Sequence, residues 1–178
     1  IGRFNKTNME SMLLSEILNS ATNYAMIGNT LRAEAFLAEA GNQYRKFEKE
    51  FPIDFYRSLI AISKCLIATD QLEKAENILK ESIVWSRKRF GNFHPNVARS
   101  LCSYAAFLEG LGNSGDADKL YQEAKTIQET VMDTDGDIYS MALRSLGRLA
   151  QEKKDYRKAE TYFTAAFSIF SRNPAIHM

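Results

Sequence analysis

Arg32-Ala33-Glu34, Lys74-Ala75-Glu76, Asp116-Ala117-Asp118 and Lys158-Ala159-Glu160 each set an alanine between two charged residues. The alanines stand at 33, 75, 117 and 159, an interval of 42 residues repeated without insertion. Working outward, the register holds at other columns. Four positions after each alanine come Leu37, Leu79, Tyr121 and Phe163, all large and apolar. Seven after come Ala40, Ser82, Ala124 and Ala166, all small. Twelve before come Ala21, Ser63, Ala105 and Gly147; sixteen before come Ile17, Leu59, Leu101 and Leu143. Within each half-repeat the columns lie three or four residues apart, so they share one face of a helix. Small residues let two helices approach, and the large ones fill the space beside them. A single hairpin cannot bury such a face alone; stacking on a neighbour does.

Breaks fall where two helices per repeat require them. Inside the repeats lie Gly28-Asn29-Thr30, Thr69-Asp70-Gln71, Gly112-Asn113-Ser114-Gly115 and Lys153-Lys154-Asp155. Between repeats lie Phe51-Pro52-Ile53-Asp54, Gly91-Asn92-Phe93-His94-Pro95 and Asp133-Thr134-Asp135-Gly136-Asp137. The pattern predicts eight helices at about 10–27, 30–49, 54–68, 71–90, 95–111, 114–131, 137–152 and 155–171. Asp54, Asp70, Asp137 and Asp155 are expected as N-caps, and Pro95 as a first helical residue. No alternating β-branched run suggests a strand. The expected fold class is all-α: a right-handed α-solenoid of four hairpins, forming one array over residues 1–178. Its repeats are expected at about 10–51, 52–93, 94–135 and 136–173.

Composition narrows the function. The chain has 178 residues, 45% hydrophobic and 25% charged, the balance of a folded protein. Its 23 basic and 22 acidic residues leave a net charge of +1, too small a field to draw nucleic acid or an anionic membrane. Arg87-Lys88-Arg89 is expected to favour a helix C-terminus rather than bind nucleic acid. No apolar run approaches the ~20 residues of a membrane-spanning helix. Cys65 and Cys102 lack metal-ligand spacing and are expected to be buried thiols, as in a reducing intracellular, cytoplasmic setting. The start, Ile1-Gly2-Arg3-Phe4, has no signal-peptide pattern and no initiator methionine, as in a processed form or an excised piece. Only two histidines occur. His94 is expected to help start a helix, and His177 lies in the tail. Neither has a catalytic or metal-ligand partner at motif spacing, and no phosphate loop, Cys-x-x-Cys or Gly-x-Ser-x-Gly occurs. Trp85 is expected to pack. The sequence predicts no enzyme, no cofactor and no metal site.

In the last repeat, Leu143, Leu146-Gly147, Ala150, Tyr156, Ala159, Phe163 and Ala166 resemble the tetratricopeptide (TPR) consensus. The period is 42 rather than the typical 34. Residues 91–101 followed by 117–124 are similar to the kinesin-light-chain type of the repeat, and the resemblance spans about residues 14–171. The consensus aromatic at Tyr156 is replaced elsewhere by Thr30, Leu72 and Ser114, and the consensus proline after the second helix is missing or displaced. Kinesin light chains carry paired asparagines on their inner helices. The matching positions are Leu18-Asn19, Ile60-Ala61, Cys102-Ser103 and Arg144-Ser145, of which only Asn19 agrees. No heptad segment for a motor heavy chain is present, and the asparagines of a chaperone-type carboxylate clamp are absent.

The resemblance implies that the first helix of each hairpin lines a concave groove. Its inner-face positions are Ser15, Leu18 and Thr22; Arg57, Ile60 and Lys64; Arg99, Cys102 and Ala106; and Met141, Arg144, Arg148 and Gln151. Arg57, Lys64, Arg99, Arg144 and Arg148 are basic and none is acidic, with Glu109 the nearest exception. Such a stripe suits an acidic segment of a protein or peptide partner; the alternative is a solvated face whose cations pair with neighbouring helices. At the C-terminal end, Tyr162, Phe163, Phe167 and Phe170 offer a second surface for a partner, another copy or further chain. The alternative there is that Pro174 and the tail fold back over it. The expected function is a non-catalytic protein-interaction scaffold. Two alternatives stand beside it: a structural subunit of a larger, for example cytoskeletal, assembly, or the regulatory module of a larger enzyme complex.

Overall fold

The computed structural model describes residues 2–46, 48, 52–134 and 136–172. Its helices are α1 (Gly2–Met26), α2 (Thr30–Gln43), α3 (Pro52–Ala68), α4 (Leu72–Phe90), α5 (Pro95–Gly110), α6 (Ser114–Thr130), α7 (Asp137–Glu152) and α8 (Tyr156–Arg172). A 3₁₀ turn at Tyr44–Lys46 follows α2. The fold is all-α, built of hairpin pairs, with no strand among the described residues. The chain divides into two compact units, Ile1–Ser82 and Ile83–Met178, with the boundary inside α4.

The 42-residue columns lie largely in the core, with Phe163 of the last repeat left exposed. Ala33, Ala75 and Ala117 are wholly buried and Ala159 nearly so, as are Ile17, Leu59, Leu101 and Leu143. In the first unit, α1 packs on α2 and α3, and Tyr44 stacks on Phe55 with ring centroids 5.6 Å apart. In the second, α5 packs on α6, α6 on α7, and α7 on α8. The small column sets these approaches. A Cβ built on Gly147 would stand 2.7 Å from the Phe163 ring, so α7 and α8 meet through that glycine.

The turns within hairpins repeat in register as well. Gly28, Asp70, Gly112 and Lys154 have φ of 78°, 58°, 80° and 61°. At each, the next amide bonds five residues back: Asn29 to Tyr24, Gln71 to Leu66, Asn113 to Leu108 and Asp155 to Ala150, at 2.8–2.9 Å. This is the left-handed closure of a helix C-terminus. The residue after it opens the next helix, and Asn29, Asn113 and Asp155 cap it with side-chain acceptors at 3.1–3.3 Å. Opposite charges also recur across neighbouring repeats: Arg45 bonds Glu81 at 3.0 Å, and Arg87, 42 residues on, bonds Glu123 at 2.5 Å.

Several expectations are corrected. α1 begins at Gly2 rather than near residue 10, because residues 3–9 hold no glycine or proline to stop a helix. The second helix ends as α-helix at Gln43, not 49; Tyr44–Lys46 form the 3₁₀ turn, and residues 47 and 49 lie outside the described residues. Asp70 is not a cap but the left-handed residue closing α3. Asp54 lies within the first turn of a helix that starts at Pro52. Asp137 is the first residue of α7, whose cap position is Gly136 without a side-chain bond. Pro95 and Asp155 sit as expected, and His94 caps α5 by accepting the Asn96 amide at Nδ1, 3.1 Å away. Trp85 packs edge-on against Phe90, which stacks on His94 at 4.6 Å.

Candidate functional site

The inner helices divide their faces sharply. On α3, Phe55, Leu59, Ile62 and Leu66 are buried, while Arg57 and Lys64 stand on the exposed side. Arg57 is 76% exposed in its side chain, and the acid beside it is Asp54 of its own first turn, 4.0 Å away. That distance is the outer limit of an ion pair and holds the guanidinium weakly. Lys64 has no acidic partner among the described residues. Arg57 borders a recess of about 180 Å³ with Ser15, Leu18 and Asn19 of α1 and Asp54, Ser58 and Ala61 of α3. Asn19, the position agreeing with the kinesin-light-chain pattern, therefore lies beside a cation.

In the second unit the cations are divided. Arg99 on α5 donates through Nη2 to both oxygens of Asp137 on α7, at 3.2 and 3.0 Å. Arg148 on α7 donates to Oε2 of Glu109 on α5 at 2.7 Å. These two pairs cross between the same helices, one near each end. Glu109 also accepts the Tyr121 hydroxyl at 3.2 Å, and its side chain is only 12% exposed. Burial, above all, pushes that phenol up to about 12, so it stays protonated and donating. Arg144 is exposed and has no acidic partner among the described residues. It borders an open recess of about 420 Å³ with Met141, Ser145, Arg148, Gln151 and Phe163.

Two inner-face expectations are corrected: Leu18 and Cys102 are 3% and 1% exposed and belong to the core. Both cysteines are free and buried, and burial lifts the Cys102 thiol to about 12. At the other surface, Phe163, Phe167 and Phe170 are exposed along one side of α8, with Tyr156 in the same stripe. Tyr162 is turned inward: its hydroxyl accepts Gln122 Nε2 at 2.9 Å, joining α8 to α6. Whether Pro174 and the tail cover this face lies outside the described residues.

Asp137 as the partner of Arg99, and Glu109 as the partner of Arg148, were not foreseen. A signal existed. The bridging pairs lie 35 to 39 residues apart, slightly less than one repeat, so opposite charges at that interval mark neighbouring helices. Among the described residues no group of acids, histidines and cysteines could hold a metal ion, and no helix is long and apolar enough to cross a membrane.

Comparison with known proteins agrees with this architecture. A family model described as tetratricopeptide repeat matches residues 55–130 and 100–172. Amyloid protein-binding protein 2 of Rattus norvegicus and of Mus musculus are each 29% identical over 69 residues, covering 39% of this chain but 12% of theirs. Among solved structures, BtubC (BKLC) of P. vanneervenii superposes with a TM-score of 0.77 at 16% identity, over 95% of this chain and 66% of that one. A Podosopora anserina protein with nearly identical TPR-like repeats of the kinesin-light-chain kind gives 0.71 at 16% identity, over 92% and 76%. The apo form of RapI gives 0.70 at 17% identity, over 92% and 44%. Helical hairpins in a 42-residue register, the family match over residues 55–172 and these shared folds agree: the chain belongs to the tetratricopeptide repeat family.

Proposed function

We propose that this chain is a non-catalytic scaffold whose inner helices capture an acidic segment of a partner protein. TPR domains are protein–protein interaction modules and generally carry no catalysis. The observation that carries the finer reading is the presence of cations without a structural acid. Lys64 and Arg144 face no carboxylate among the described residues, and Arg57 has only a weak one. A partner carboxylate supplies what the fold does not, and Arg144 offers it a two-pronged donor beside a recess. Arg99 and Arg148 are committed to Asp137 and Glu109 and serve the framework instead. In this reading the chain works inside the cell, where Cys65 and Cys102 remain thiols.

Partner capture from the native source, read by mass spectrometry, tests it. Lys64→Glu combined with Arg144→Glu should remove a salt-sensitive partner that the parent retains. Equal recovery by both would sink the reading. The exposed phenylalanines of α8 favour a second docking surface, as in a subunit held in a larger assembly.

A further inference from the structure

The second unit contains its own template for what covers α8. In α6, Tyr121 and Gln128 are 1% and 0% exposed. Packed on α6 is α7, the first helix of the following hairpin. Its Tyr139 hydroxyl donates to Glu129 at 2.8 Å, and Lys153, just past its end, reaches Asp118 at 2.6 Å. One repeat later the same positions are Phe163 and Phe170, exposed at 39% and 47%, and Glu160, which has no partner among the described residues. α8 thus presents the surface that α6 buries, with phenylalanines in place of Tyr121 and Gln128 and the acid in the same place.

We propose that this face of α8 binds an amphipathic helix of a partner protein. That helix presents aliphatic and small side chains at the spacing of α7 and carries a lysine or arginine at its C-terminal end. The aromatic side chains supply the apolar contact, and Glu160 supplies the complementary charge that Asp118 supplies to Lys153. A second copy fits poorly. α1 aligns with α7 at three repeats' distance, and its Glu16, Ser20 and Asn23 stand where α7 has Ala142, Leu146 and Leu149. Docking α1 would therefore set polar groups against the phenylalanines, with their hydrogen bonds to water lost. This deepens the second surface of the proposed scaffold and does not depend on the inner cations.

A labelled synthetic peptide of residues 136–153, which carries the α7 face and Lys153, is the probe. Titrated with the full chain and read by fluorescence anisotropy, it should bind saturably. Phe167→Asp or Phe170→Asp should each weaken binding by about tenfold or more, with circular dichroism unchanged. Glu160→Lys should weaken it by a few-fold, and the peptide with Lys153→Glu should restore it. The Lys64→Glu chain should bind the peptide like the parent, which separates this surface from the inner one. Four results would overturn the proposal: no saturable binding, binding indifferent to the α8 variants, a dimer closed through α8 in sedimentation, or binding that emerges only after residues 173–178 are removed.

Discussion

The two units place basic residues at the same repeat positions and use them differently. Arg57 and Arg99 share one column, and Lys64 and Arg148 share another. In the first unit Arg57 meets only Asp54 at 4.0 Å, and Lys64 meets no acid among the described residues. In the second, Arg99 and Arg148 reach across to Asp137 and Glu109 at 3.0 and 2.7 Å. A cation at an inner position is therefore not in itself a binding group. What decides is whether the neighbouring repeat supplies a carboxylate within reach.

The largest difference between the units should come from Arg148→Ala. It strips the charge partner from Glu109, whose side chain is 12% exposed, and should destabilise the chain by about 1–2 kcal/mol in urea unfolding. Lys64→Ala should cost less than about 0.5 kcal/mol. Equal losses would break the comparison.

A second pair of substitutions should behave alike in both units and so sharpen it. Each unit closes one hairpin with a glycine and one with a residue strained into φ near 60°, Asp70 in the first and Lys154 in the second. Asp70→Gly and Lys154→Gly should each stabilise by about 0.5–1 kcal/mol, the relief of a left-handed backbone offsetting the extra freedom of the unfolded chain. Thermal unfolding of each variant checks this.

A double-mutant cycle on Arg99 and Asp137 should give a coupling of about 0.5 kcal/mol, since both groups are substantially exposed. The same cycle on Arg57 and Asp54 should give nearly none. The smallest effect is on acid stability. Burial pushes the Asp118 carboxyl up, but the hydrogen bond and charge of Lys153, with Gln122 and Lys158, outweigh it and leave it below the usual range. A carboxyl depressed in the fold stabilises at neutral pH, and that contribution is lost as pH falls through its folded value. Asp118→Asn should therefore lessen, by a few tenths of a kcal/mol, the loss of stability on going from about pH 5 to pH 3.

The core was legible because packing is periodic: Ala33, Leu59, Ala105 and Leu143 follow from the register alone, and each is buried. Helix ends were less legible. Asp70 and Asp155 look alike in sequence, yet one closes a helix and the other caps one, because a shift of a single residue exchanges the two roles. Cys102 was placed both in the core and on the inner face; its column holds exposed Arg144 in the last repeat, and only packing decides between them. The division of the cations was hidden for another reason. It depends on the reach of long side chains between repeats, and a repeat register aligns backbones without fixing where guanidinium groups go.

The most direct test of the central claim is a titration of ¹⁵N-labelled chain with a glutamate-rich peptide, followed residue by residue by NMR at low and at high salt. The account predicts salt-sensitive shifts centred on Arg57, Lys64 and Arg144, with the Arg99 and Arg148 side chains keeping their bonds to Asp137 and Glu109. Shifts centred on Arg99 and Arg148, or no salt-sensitive shifts at Arg57, Lys64 and Arg144, would contradict it.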